Sequence, residues 1–232
     1  EPKGTGGLVE YLSVHETRMA AVPDQGDLAE WTMCQPAGTV LYACQQIGTI
    51  IGKNVLILGQ GGIGLSFTDI CSRAGARQII TTDLLNYRLR VSETRGATHT
   101  INPSEENIDD AVEEITNGEG AEITVEAAGY QETLNDSIRL VSKFGKIILF
   151  GLQESVTNDV SSIHTSNLMD KTPTIIPTVA NRSGDSISHI NRAIELKQRG
   201  WWNPGTLITH RLKFDDVNQA YDMYDNYKDQ VI

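Results

Sequence analysis

From Lys53 onward, short apolar runs alternate with longer stretches in which apolar positions recur every third or fourth residue. The runs that read as strands fall near 55–58, 78–82, 97–101, 122–126, 146–150 and 174–179, and the helical stretches between them near 62–74, 86–95, 107–117 and 131–143. Strands alternating with amphipathic helices predict an α/β fold: a doubly wound, six-stranded parallel sheet of the Rossmann type, with ligands outside the carboxyl ends of the strands. The flanks have a different pattern. Residues 6–14 read as a strand entered from a glycine turn, followed by a short helix around Asp27–Thr32 and a helix from Gln35-Pro36 to about Gln46, with proline at its first position. Beyond Pro177 come an amphipathic helix from Ile187 to Lys197, a turn at Trp201-Trp202-Asn203-Pro204, a strand from Leu207 to Phe214, and a helix from Val217 to Tyr224 capped by Asp215 or Asp216. A lone strand at the start needs a partner for its backbone groups, and the chain opens with Glu1 rather than Met. The expectation is therefore a fragment of a longer protein.

The chemistry concentrates where the first of these runs ends. Val55-Leu56-Ile57-Leu58 leads into Gly59-Gln60-Gly61-Gly62-Ile63-Gly64, a GxGxxG sequence between a strand and a helix. Gly59 allows the tight turn, Gly61 lets main chain approach a pyrophosphate, and Gly64 lets helix and strand pack closely. The free N–H groups and positive end of the helix, beginning at Gly62, face the phosphates. The second strand ends in Asp83, nineteen residues after Gly64, where such a fingerprint places its acid. A carboxylate there accepts hydrogen bonds from an unmodified ribose and repels a 2′-phosphate, by ~4 kcal/mol per unit charge pair at ~4 Å and an effective dielectric of ~20, so NAD is expected over NADP. Arg88 either touches the adenosine ribose or sits in solvent beside Arg90. Glu126-Ala127-Ala128-Gly129 and Phe150-Gly151-Leu152 end the fourth and fifth strands, and their glycines either bring backbone close to a cofactor or simply turn the chain. Cys34, at the start of a helix, is either a thiol of lowered pKa or a small buried apolar residue.

Charge and cysteine count narrow the class. Nineteen Lys plus Arg against thirty Asp plus Glu give a net charge of −11 with no basic run, a poor match to nucleic acid or an anionic membrane. No apolar run approaches eighteen residues and no leader pattern opens the chain, so the expected compartment is the cytoplasm. Cys34, Cys44 and Cys71 show no CxxC spacing, so neither a disulfide framework nor a zinc ribbon is expected.

The order Gly6-Gly7-Leu8-Val9-Glu10-Tyr11, the Gln35-Pro36 helix, Val55 to Gly64, Asp83 with Arg88, Gly96-Ala97, and Ile208-Thr209-His210 before an Asp-capped helix resembles the zinc-type medium-chain alcohol dehydrogenases along essentially the whole chain. That resemblance implies a Rossmann domain set between two portions of a GroES-like catalytic domain. Residues 1–34 would then belong to the first portion, 35–180 to the NAD-binding domain with its leading helix, and 181–232 to the return segment. It also implies zinc-assisted oxidation of an alcohol or polyol by NAD, a small alcohol or carbonyl as substrate, and a homodimer or homotetramer paired through the strand at Thr174 to Thr178. Thr39 and Ile63 match residues beside the nicotinamide, and backbone at Phe150, Leu152, Thr178 and Ala180 matches contacts to its carboxamide. Gln35 matches the third zinc-ligand position, which the family usually fills with Cys or Glu. A neutral amide binds zinc more weakly than either, so other ligands hold zinc, Cys34 substitutes, or the metal is lost. The family's first zinc cysteine, its zinc histidine and its proton relay would precede Glu1. Two alternatives are a zinc-free quinone- or enoyl-type reductase of the same superfamily, and a non-catalytic nucleotide-binding module.

Overall fold

The computed structural model describes residues 7–151, 160–180, 183–226 and 230–232. Its sheet has six strands, all parallel: β1 Asn54–Leu58, β2 Gln78–Thr82, β3 His99–Ile101, β4 Ala121–Glu126, β5 Val141–Leu149 and β6 Thr174–Pro177. Their order is β3-β2-β1-β4-β5-β6, so the direction of winding reverses between β1 and β4. That reversal opens a crevice at the carboxyl ends of β1 and β4, where parallel sheets take their ligands.

Burial follows the two-residue period of the strands. Val55 and Ile57 of β1 point into one cluster with Val40, Ile47, Phe67, Ile123, Ala193 and Trp202, while Leu56 and Leu58 point into another with Ile80, Ile101, Ile108 and Val112. The first face is covered by α2 Cys34–Ile47, α3 Gly62–Arg73 and α8 Ser186–Gln198. The second is covered by α5 Ile108–Thr116, with α6 Gln131–Arg139 closing a third cluster around Ile138 and Ile147. The remaining helices are α1 Leu28–Thr32, α4 Asn86–Thr94, α7 Thr165–Lys171 and α9 Val217–Asp225. No helix among the described residues is long and apolar enough to cross a membrane.

The ends of the chain meet on the first face. Lys197 Nζ lies 2.6 Å from Glu30 Oε2 and 4.7 Å from the Trp31 ring centroid, which ties α8 to α1. Arg73 and Arg95 share the buried carboxylate of Asp69, and their other nitrogens bond the main-chain oxygens of Trp201 and Thr206. α8 lies directly on α2: a Cβ at Gly38 would come within 2.8 Å of the His189 backbone. His189 is 7% exposed, its Nε2 is 3.1 Å from Ser183 Oγ, and its ring centroid is 4.5 Å from that of Tyr42. Burial, helped by the nearby Arg192 cation and opposed by Asp185, lowers the imidazole pKa below its ordinary 6.5. The unfolded chain therefore binds the extra proton first, so this contribution is complete above pH 6.5 and is lost as the pH falls toward the folded-state value. His189→Gln should flatten the decline in unfolding free energy as the pH falls below 6.5, measured by urea titration at a series of pH values.

Five expectations need correction. Residues 7–14 form no strand, and Leu8, Tyr11 and Leu12 stand exposed, because no described strand lies beside them to complete a ladder. Residues 207–214 form no strand either: a 3-10 turn at Pro204–Leu207, unpaired chain, and a second 3-10 turn at Phe214–Asp216 take its place. Asp216 precedes α9 without a side-chain cap bond. The helix expected to reach residue 143 stops at Arg139, and β5 begins at once with a bulge. Ala121 pairs with Val141 but Ile123 pairs with Lys146, and the extra residues bend out around Phe144, held at φ 60 and 79% exposed. Finally, α2 starts at Cys34, so Pro36 is its third residue. Its missing N–H still costs no bond, because the first helical N–H to find a carbonyl is Ala37 to Met33.

Candidate functional site

The loop between β1 and α3 is shaped by two different uses of glycine. Gly59 has φ 92, and a Cβ there would come within 2.9 Å of Ala128 Cβ; one at Gly64 would stand 1.8 Å from the Gly59 carbonyl oxygen. These two glycines let β1, β4 and α3 close on one another. Gly61 and Gly62 do the opposite. The nearest atom to a Cβ at Gly61 is Arg88 Nη1 at 3.8 Å, and nothing lies within 4 Å of one at Gly62. The space in front of the start of α3 is therefore open. Gly61 is the N-cap of α3 and supplies no side-chain acceptor, which leaves the first N–H groups and the positive end of the helix facing that space. The half-buried Ile63 borders it.

At the end of β2, Asp83 braces the same loop. Its Oδ2 accepts from Gln60 N at 2.7 Å and its Oδ1 from Leu85 N at 2.9 Å. Each oxygen keeps a second lone pair for a further donor. Arg88 Nη1 lies 3.8 Å from Asp83 Oδ2, and both side chains are mostly buried. Asp83, Arg88 and the open side of Gly61 thus lie together in one corner.

The carboxyl ends of β4 and β5 are joined by Glu126, which is fully buried. Its Oε1 accepts from Ala128 N, Gly129 N and Thr133 Oγ1 at 3.0, 2.8 and 2.7 Å, and its main-chain oxygen accepts from Phe150 N and Gly151 N. A Cβ at Gly151 would lie 2.5 Å from Glu126 Oε2 and from Gly129 N. Packing around Glu126 alone accounts for glycine at 151. Ala127 N is bonded to Leu58 O, and Thr178 N to Leu149 O, so these donors serve the sheet. Ala180 is buried just beyond β6, and Leu152 lies outside the described residues.

Gln35 and Thr39 sit one turn apart on α2. Gln35 is exposed; Thr39 is half-buried, with its hydroxyl donating to Pro36 O at 2.6 Å. Of the two readings of Cys34, the structure fits the small buried residue and not the activated thiol. It is fully buried, and desolvation pushes its pKa up, against a smaller opposing effect of Lys197. Among the described residues no three His, Cys, Asp or Glu side chains gather closely enough to hold a metal ion. The sequence reading passed over Glu126, whose place in a Glu-Ala-Ala-Gly turn carries no pattern of its own, and the buried side chain of Gln60 inside the glycine motif.

A doubly wound parallel sheet whose carboxyl edge ends in a glycine-cornered helix start, with an acid closing the next strand, defines a dinucleotide-binding Rossmann domain. Comparison with known proteins places it more closely. The chain belongs to the zinc-binding dehydrogenase family, whose sequence profile matches residues 62–196. It is 30% identical, over all of its length and 64% of the relative's, to the uncharacterized zinc-type alcohol dehydrogenase-like protein YdjJ of Escherichia coli. It is also 30% identical to the L-threonine 3-dehydrogenase of Shewanella pealeana, over 94% of this chain and 61% of that one. Among solved structures, an Escherichia coli oxidoreductase/dehydrogenase of unknown specificity involved in membrane biogenesis superposes with a TM-score of 0.80 at 29% identity, covering 91% of this chain and 58% of that chain. The chain thus spans somewhat under two thirds of the curated relatives it matches.

Proposed function

We propose that this chain carries the NAD-binding part of an oxidoreductase that transfers a hydride between an alcohol or polyol and NAD. The observation that carries the reading is the corner made by Gly59, Gly61, Gly64 and Asp83: two glycines packed shut, one facing open space, and a carboxylate fixed beside them. In this reading the N–H groups at the start of α3, around Gly61, Gly62 and Ile63, hold the pyrophosphate. Asp83 accepts from the adenosine ribose hydroxyls, and Arg88 lies along that ribose. Main chain at Ala127, Gly129, Phe150, Gly151, Thr178 and Ala180 borders the nicotinamide end, with Thr39 and Ile63 on either side of the ring. The bound NAD supplies the hydride acceptor, nicotinamide C4. The chain's own part is to orient that ring and to keep water from it with the apolar flank of Ile63 and Phe150.

Zinc, a property of the family, finds no donor set among the described residues. Cys34 is a buried thiol of raised pKa, and Gln35 offers one neutral oxygen. In this reading Gln35 holds the third-ligand position that the resemblance implies, as a weak ligand or as a group beside the metal. The same reading divides the chain into 1–34, the NAD domain at 35–180 and a return segment at 181–232, and pairs two copies along the edge strand β6 in a homodimer or larger assembly. A symmetric partner would satisfy the strand's outer backbone groups, apart from the donor that Pro177 lacks.

Cofactor choice tests the reading. Asp83 repels a 2′-phosphate and Arg88 beside it attracts one, so the preference for NAD rests most on the hydrogen bond that only a free 2′-hydroxyl gives Asp83. Asp83→Ser should narrow the NAD/NADP affinity ratio by about tenfold, the worth of one charge-assisted hydrogen bond. Fluorescence titration of the parent with NADH and NADPH is the measurement, and a parent that already prefers NADPH would sink the assignment.

A further inference from the structure

The glycines of the loop are not enough to explain its shape. Its third element is Gln60, a long polar side chain lodged between two of them and fully buried. Three of its groups are fixed. The main-chain N–H donates to Asp83 Oδ2 at 2.7 Å, Nε2 donates to Gly59 O at 2.9 Å, and Oε1 accepts from Thr68 Oγ1 at 2.9 Å. Thr68 is itself fully buried in the second turn of α3, and its hydroxyl also lies 3.0 Å from Gly64 O.

These contacts solve an electrostatic difficulty of the turn. A loop that receives a diphosphate must show it N–H groups and turn its carbonyl oxygens away, because an oxygen facing the anion repels it. The Gly59 carbonyl belongs to the first residue of that loop. It points inward, into the gap where Gly64 has no Cβ, and there it needs a donor. Gln60 Nε2 is that donor. The other end of the same amide is held by Thr68, so the tilt of the turn is tied to α3, whose first N–H groups face the phosphates. We propose that Gln60 and Thr68 are positioning residues that hold the Gly59 carbonyl away from the pyrophosphate and set the loop for dinucleotide binding. This rests on the reading of the corner as an NAD site. Neither side chain touches the cofactor in this arrangement; both act through the backbone of Gly59 to Gly64.

A buried amide that merely filled space would leave a different signature, and a double substitution separates the two. Gln60→Leu leaves the Gly59 carbonyl without its donor, while the Thr68 hydroxyl keeps Gly64 O, and should lower both the melting temperature and NADH affinity, the latter about tenfold. Adding Thr68→Val makes the pair apolar on both sides and leaves no unpaired side-chain group between them, so it should cost little further stability. NADH affinity should stay about tenfold weaker in the double variant, since the carbonyl is still unheld. Thr68→Val alone should weaken NADH several-fold, and Thr68→Ser, which keeps the hydroxyl, should return it to the parental value. This Val/Ser pair gives the answer if Gln60→Leu does not fold. The measurements are NADH fluorescence titration and thermal melting of the intact protein. A double variant that regains parental affinity together with stability overturns the proposal, as does Thr68→Val at parental affinity, while NADH still binds the parent. A parent that does not bind NADH overturns the NAD reading and this proposal with it.

Discussion

Gly64→Ala should lower the unfolding free energy by about 3 kcal/mol, at the upper end of what overpacking costs. The added carbon would stand 1.8 Å from the Gly59 carbonyl oxygen and 2.8 Å from its carbon, and both are backbone atoms. No rotamer change relieves such a clash. Either α3 moves off β1, opening the cluster that holds Val55, Ile57 and Phe67, or the turn at Gly59 is pushed outward. In the second case NADH affinity falls as well, because the turn carries the phosphate-facing groups. Urea unfolding gives the stability, and a midpoint unchanged from the parent would show that helix and strand are not in the contact described.

The opposite outcome is expected three residues earlier. Gly61 has φ −69 and ψ −174, an extended conformation that any residue adopts, and a Cβ there meets nothing nearer than Arg88 Nη1 at 3.8 Å. Gly61→Val should therefore fold with a midpoint close to the parent's. Its branched side chain would occupy the space assigned to the pyrophosphate, and NADH affinity should fall by about a hundredfold, the equivalent of roughly 2.7 kcal/mol. Calorimetric titration that found the affinity intact in a folded Gly61→Val protein would remove the pyrophosphate from this corner. Taken together, the two variants separate a glycine required by the protein from a glycine left for a ligand, a distinction that the GxGxxG pattern does not make.

The parts of the fold that were legible in the sequence are those in which one short segment carries its whole instruction. Val55 to Leu58 is apolar without interruption because both faces of β1 are buried, and the turn at Gly59 follows from chemistry within six residues. The same holds for Asp83, placed by the length of one helix and one strand. Segments whose structure depends on a distant partner were misread. Residues 7–14 and 207–214 have the composition of strands, but strand propensity expresses a fit to a neighbouring strand, and no described strand lies beside them. The bulge at Ser142 to Gly145 was hidden for a related reason: the helical period of 131–139 runs on smoothly into residues that β4 captures instead. At the site, Cys34 shows competition between two effects. The positive end of α2 favours a thiolate, but complete burial outweighs it. Gln60 and Glu126 escaped notice because their importance lies in which backbone groups they reach, and spacing along the chain does not record that.

The packing of α8 on α2 also fixes an order of events as the chain is made. Every strand of the sheet precedes Ser186, yet the strip of α2 formed by Ala37, Val40, Leu41 and Cys44 shares its cluster with Ala193, Ile194 and Trp202. A growing chain can therefore pair its strands while one side of its largest core still faces water. Covering it waits for a segment from the far end of the sequence, a long-range closure of the kind that folds slowly and leaves apolar surface open to other chains in the interval. Gly38 narrows that last step further, since the docking helix comes to rest where a single added carbon would meet its backbone.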